Sequence, residues 1–347
     1  MRSEKSPSAL QFVVVVAAML IAAYGIPRSR AFSLTHLQEI KLPVLYWQLG
    51  IETARMLNEA GVTQIAVSPP MVGEWHRAGF KVLAVSVQDL ERREKLLVPR
   101  IAGRVEVASA TRRPWIDLNG WRFVRRPSGK FLYDMREKGA GQAVLAIAEA
   151  FAYQADAILK IDPADLKAAG KMLVFLRTLP GVNLSPIGDI GFIADGSPAS
   201  NEVMNLLTRR NLLFRVVSAP DSRFRVNIKL GSKEYPRAEA SDPNAFALKV
   251  RHELGDEHRS LRIYGTELVI GRLTGDAAHS QLHLLNYSGR EVEGLRVRVR
   301  GRYSKGEFKT FGIDQAGSED FVVDDGATEL TIPRLGVYAL IDLPVAN

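Results

Sequence analysis

The chain contains no cysteine. That single absence excludes disulfides, thiolate nucleophiles, a lipid-modified N-terminal cysteine and cysteine-based zinc or iron–sulfur sites. Whatever compartment the protein works in, its fold is held by its core alone. A Walker A sequence and a GxSxG elbow are also missing, which removes P-loop and nucleophile-elbow chemistry. Excess charge of one sign is small: 46 Lys and Arg face 38 Asp and Glu, a formal net charge of +8. Residues 1–31 hold four of the basic groups and one acid, so the remainder carries +5. So weak a surplus does not argue for nucleic acid as partner.

The first thirty residues are organised in three zones. Arg2 and Lys5 outweigh Glu4, Phe12–Ile26 is an uncharged apolar run, and Ser29 and Ala31 suit signal peptidase at −3 and −1. A basic start, a short apolar stretch and a small-x-small site read as a secretory signal cleaved after Ala31. The alternative is an uncleaved anchor, although a spanning helix wants about 20 apolar residues and this run has 15. The expected location is therefore exported, periplasmic or secreted. Membrane contact is expected only through this segment, if it stays uncleaved.

Residues 32–183 alternate short apolar runs with helical stretches closed by glycine. Val44–Trp47, Gln64–Val67, Lys81–Val85, Arg104–Val107 and Ala157–Ile161 read as strands, with helices between them and a long one over Asp165–Thr178. Repeated βα units imply a parallel sheet, here a partial TIM-barrel-like βα domain. Thr111–Lys138 differs, being rich in Trp, Phe, Tyr and Arg, and reads as a long ordered βα connection. Residues 184–259 read as a small Rossmann-like α/β domain, with Ser197 capping a helix and Pro198 at its first position. From residue 260 to 347 the apolar period becomes two, with turn residues between short strands, the pattern of a β-sandwich.

Motifs for chemistry are sparse. His252-Glu253 begins a zinc-protease-like run, but Asp256 stands where the second His belongs, and His258 is displaced. No metal site and no cofactor are expected. His279 and His283 read as surface positions. Gly139-Ala140-Gly141 starts a helix and reads as that rather than as a phosphate cradle. Carboxylates are the live option, since a glycosidase needs two across a sugar cleft. Glu106, Asp117, Asp134, Asp162 and Asp189 lie near expected strand ends or in the aromatic segment. Asp117 ranks first, because Trp115-Ile116-Asp117-Leu118-Asn119-Gly120-Trp121 combines rings that can stack on sugars with groups that can bind hydroxyls. Asp117 and Glu106 are the catalytic candidates; Trp115, Asn119, Trp121 and Tyr133 are the substrate-binding ones. The rival account makes the two Trp a core pair. Arg296, Arg298, Arg300 and Arg302 alternate along one expected strand and put four guanidinium groups on one face, either solvated or open to an acidic polysaccharide.

The order of the three modules resembles the β-galactosidase-type (clan A) glycoside hydrolases, in which a barrel precedes a glutamine-amidotransferase-like domain and a small β domain. Ala148–Ala157 (AEAFAYQADA) resembles a late helix-to-strand step of such barrels. Gln281–Ser288 (QLHLLNYS) and Leu335–Leu343 (LGVYALIDL) resemble their terminal β domains. The resemblance implies a glycan as substrate or partner. A full barrel takes about 200–250 residues, and Leu42–Pro180 is shorter, with room for five or six βα units. The family's acid/base Glu follows Asn at a strand end, whereas Asn58-Glu59 lies in an expected helix and Asn201-Glu202 at a helix start. No residue is carried over as that acid. An amidotransferase-like domain without Cys is expected to be inert. Two functions stay open: an exported glycoside hydrolase, or a non-catalytic relative that binds glycan or an envelope partner.

Overall fold

The computed structural model describes residues 41–101, 115–136, 138–180, 184–313 and 317–346. The expected signal segment, the strand over Arg104–Val107 and Glu106 lie outside them.

The first module is built on a six-stranded, wholly parallel sheet. Its spatial order is Lys81–Ala84, Gln64–Val67, Val44–Tyr46, Asp156–Lys160, Lys130–Asp134, Glu94–Lys95. That is the order of a singly wound barrel, with the first strand beside the last; among the described residues Lys81–Ala84 and Glu94–Lys95 are the two edges of the sheet. Alternation along each strand separates two cores. Val44, Tyr46, Ala66, Leu132 and Ile158 face inward and meet Val85 and Leu90. Leu45, Ile65, Val67, Phe131, Tyr133 and Leu159 face the helices. The two-residue strand Glu94–Lys95 is pinned by charge more than by its ladder. Buried Arg93 donates to Asp156 Oδ1 (3.0 Å) and to the Phe131 carbonyl (3.3 Å). Glu94 accepts from Arg122 at 2.8 Å and Arg125 at 2.9 Å.

Thr111–Lys138 is not one connection. Where described, it contains the strand Ile116–Asp117, the helix Gly120–Arg125 and the barrel strand Lys130–Asp134. The strand was hidden because Lys130 and Asp134 bracket only three apolar residues.

The second module has three parallel strands, Phe214–Val216, Ile190–Ile193 and Val226–Lys229, with helices Pro198–Arg209 and Pro243–Leu254. Ser197 Oγ accepts from the Ser200 amide, with Pro198 at the first helical position. Asp242 caps the second helix through the Asn244 and Ala245 amides.

Two antiparallel sheets of four and five strands share the third core, formed by Leu261, Leu282, Leu284, Leu295, Val297, Ile332 and Ile341 among others. Ser185-Pro186 already pairs with the edge of Val269–Gly275 before the chain enters the small module. The chain between barrel and small module is thus laid along the sandwich, on an edge where proline is tolerated.

Candidate functional site

In a barrel-order sheet, ligands collect at the C-terminal ends of the strands. Here that end carries Tyr46, Asp134 and Lys160 on the inward face, two residues beyond Leu132 and Ile158 along their strands. Asp134 and Lys160 are direct register partners. The Lys160 ammonium lies 5.5 Å from the centre of the Tyr46 ring. Asp134 is half open, its side chain 46% exposed, and Arg136 grips both its oxygens (Nε–Oδ1 2.8 Å, Nη2–Oδ2 2.5 Å). Hydrogen bonds from Arg136, helped by its charge and that of Lys160, hold the Asp134 carboxyl below its usual range. It is an ionised, solvent-reachable carboxylate at the mouth.

Asp117 lies in the connection that follows the strand Glu94–Lys95, on a two-stranded ribbon with Arg100–Ile101. Its side chain is 13% exposed and meets the open Arg100 at 3.4 Å. Trp115 is half-buried, and the Arg209 guanidinium stacks 3.2 Å from its ring centre.

The remaining substrate-binding expectations are corrected by burial. Asn119, Trp121 and Tyr133 are buried, so their side chains do not line an open cleft. Trp121 belongs to the core account: it packs in the main cluster, with the Arg122 and Arg125 guanidiniums 4.5 and 5.1 Å from its ring. The cause is Gly120, whose missing side chain lets the helix Gly120–Arg125 close onto the Tyr153 hydroxyl.

Asn119 and Tyr133 instead serve Glu149, a fully buried carboxylate on the helix Ala140–Ala152. Oε1 accepts from the Asn119 amide N–H (2.7 Å) and the Tyr287 hydroxyl (2.6 Å). Oε2 accepts from Asn119 Nδ2 (2.9 Å) and the Tyr133 hydroxyl (2.5 Å). Burial raises the Glu149 pKa, and these donors oppose that rise. Four donors from three segments, one of them in the sandwich, make this a structural knot joining modules. Sequence reading missed Glu149, although it is the one charged residue of an otherwise apolar, Ala-rich helix, and a lone carboxylate among buried alanines is the signal that could have marked it.

The other candidate carboxylates have local duties. Asp162 accepts from the Ala164 amide (2.9 Å) and caps the turn after its strand. Asp189 is buried and accepts from the Ser260 amide (2.9 Å) and hydroxyl (2.5 Å), tying the small sheet to the first sandwich strand. Burial raises its pKa.

His283 is also corrected, because it is buried in a central strand of the five-stranded sheet, with Nδ1 2.8 Å from the Tyr338 hydroxyl. Burial, then the charge of Arg272, lowers its pKa to about 3, so the ring is neutral. His279 is open, 3.6 Å from Asp342. The Arg ladder has three rungs on its strand, Val292–Arg300, because Arg302 falls beyond Gly301 and the strand's end. Glu329 bridges Arg296 (3.2 Å) and Arg298 (3.4 Å). Among the described residues no group of three His, Cys, Asp or Glu is arranged to hold a metal.

No protein-family model matches the chain, and no curated protein matches it. Among solved structures it is similar to alpha-L-fucosidase isoenzyme 2 from Paenibacillus thiaminolyticus, with a TM-score of 0.52 and 8% identity. That match covers 88% of this chain and 77% of the fucosidase. A GH30 endoxylanase from Clostridium papyrosolvens C71 also matches, at a TM-score of 0.24 and 9% identity, over 89% of this chain and 97% of that one. At such identity the first likeness concerns the fold: an arrangement of barrel-type sheet and further modules shared with a glycosidase.

Proposed function

We propose that this chain is an exported carbohydrate-active protein that engages a glycan at the C-terminal mouth of its open barrel and hydrolyses a glycosidic bond there. One observation carries the reading: Asp134 ends an inward-facing strand position as an ionised, half-open carboxylate. An ionised carboxylate can attack the anomeric carbon or stabilise the positive charge that grows on the sugar ring. Asp117, in the connection after the strand Glu94–Lys95, is the second carboxylate of the proposed pair. The fold shared with an alpha-L-fucosidase supports a glycan as ligand, by analogy of fold.

A second reading, glycan binding without turnover, is favoured by a specific feature. Arg136 occupies both oxygens of Asp134, and a carboxylate held in a bidentate pair is a poor nucleophile. A glycan array followed by a panel of p-nitrophenyl glycosides separates the two. Hydrolysis that falls at least a thousandfold in Asp134→Asn and in Asp117→Asn, with unchanged melting, supports the enzyme. Array binding that Asp134→Asn weakens, without turnover of any glycoside, supports the binding protein. Neither binding nor turnover would remove both readings.

A further inference from the structure

A recess of about 230 Å³ lies where the small α/β module meets the four-stranded sheet of the sandwich, and five arginines line it. Arg209 and Arg210 come from the end of the helix Pro198–Arg209, Arg251 from the helix Pro243–Leu254, Arg259 from the turn after it, and Arg262 from the strand Leu261–Tyr264. Among the described residues their paired acids are fewer. Glu202 meets Arg209 at 3.4 Å and Glu267 meets Arg210 at 3.5 Å. Among the described residues Asp256 alone serves the other three: Arg251 at 2.5 Å, Arg259 at 3.1 Å and Arg262 at 3.8 Å.

Positive charge is therefore in surplus, and it is desolvated. The Arg209 and Arg259 side chains are only 10% and 8% exposed. The Nε groups of Arg209, Arg259 and Arg262 are buried without a hydrogen-bond acceptor among the described residues. Those Nε groups have no open surface; the parts an oxyanion can reach belong to Arg251 and Arg262, whose side chains are 48% and 23% exposed. The recess also has an apolar side, with Tyr264 stacked against Arg262 at 5.1 Å and Leu248 62% exposed. Across the sheet, Arg262 pairs with Arg298 and Tyr264 with Arg296, so the basic face continues onto the Arg ladder.

We propose that this recess binds the oxyanion of an acidic saccharide, a hexuronate or sulfated sugar unit. Arg251 and Arg262 meet the anion, and Tyr264 offers the sugar ring an apolar face. That the ligand is a saccharide rests on the carbohydrate reading above; that it is an anion rests on the arginines alone. Free acidic sugars and units within an acidic polysaccharide share this chemistry, and the Arg ladder separates them.

The test is calorimetric titration of the whole chain with D-glucuronate, D-glucose, inorganic sulfate and a heparin-derived hexasaccharide. Glucuronate is expected to bind and glucose not, with affinity falling as NaCl rises. Arg262→Gln and Arg251→Gln should each weaken glucuronate at least tenfold, whereas Asp134→Asn should leave it unchanged. Leu248→Trp obstructs the recess without removing a charge and should also weaken binding, which guards against a variant that merely loosens the Asp256 cluster. Tighter binding of the hexasaccharide, reduced by Arg296→Gln, assigns a polysaccharide unit; equal binding assigns a single sugar. The proposal is overturned if glucuronate does not bind, if glucose binds equally well, or if all three recess variants bind glucuronate as the wild type does. Sulfate binding without glucuronate binding overturns the saccharide assignment.

Discussion

At the scale of single residues, the polar group under most constraint is Glu149. Both of its oxygens face donors from Asn119, one the backbone amide and one the side-chain amide. In Glu149→Gln, either orientation of the new amide turns an N–H₂ toward one of those donors. The expected cost is about 2–3 kcal/mol, the range for leaving buried polar groups unpaired. Denaturant midpoints read it, and Tyr287→Phe, which removes one neutral donor, should cost less, about 1 kcal/mol. Equal stability of Glu149→Gln and wild type would mean that the carboxyl is protonated and already donating. Asp117 contrasts with this, because its ion partner Arg100 is mostly exposed. Such a pair contributes roughly 0–1 kcal/mol, so functional loss in Asp117→Asn can be read without a stability correction.

At the scale of elements, close approach of backbones decides where helices sit. Gly170, in the middle of the helix Leu166–Arg177, leaves no room for a methyl group, since a Cβ there would run into the Ala60 carbonyl oxygen. By helix propensity alone, Gly170→Ala should stabilise by about 1 kcal/mol. Backbone against backbone cannot yield as a flexible side chain can, and overpacking costs roughly 1–3 kcal/mol. The expected net result is a lower melting temperature, measured by circular dichroism. A raised one would show that the two segments separate freely. The Arg-bearing strand teaches a related lesson. Its period of two was legible, but the end of the strand at Arg300 and the bridging Glu329 depend on the partner strand Ala327–Leu335.

At the scale of the whole molecule, the sandwich is tied to the barrel module by Tyr287 on Glu149 and by Phe151, whose ring lies 6.2 Å from His283 and 6.1 Å from Tyr338. Asp189 and Ser260 tie it to the small module. These contacts place the Arg-lined recess where the small α/β layer meets the sandwich. The proposed export is also tested on the whole chain. Expressed in a bacterial host, the protein is expected to lose its first 31 residues, leaving Phe32 at the N-terminus by Edman or mass analysis. Recovery of chains beginning at Met1 in the membrane fraction would replace cleavage by anchoring.

What the amino-acid sequence determined by itself was local and periodic. Glycines closing helices, the Ser197-Pro198 start and the alternation from Leu295 to Arg300 each state their structure within a few residues, because capping, left-handed turns and strand pleating are short-range physics. The absence of cysteine likewise excludes whole chemistries without any coordinates. Only the tertiary structure decided which polar residues lie inside. Trp115 and Trp121 stand in one short motif, yet one is half-buried under Arg209 and the other is packed in the core. Asp134 and Glu149 are both carboxylates near aromatic residues, yet one opens at the barrel mouth and the other meets four donors. The five arginines of the recess span residues 209 to 262, and no spacing rule joins them. Side-chain burial and long-range charge balance are set by elements distant in sequence, and these separate a structural carboxylate from one open to solvent.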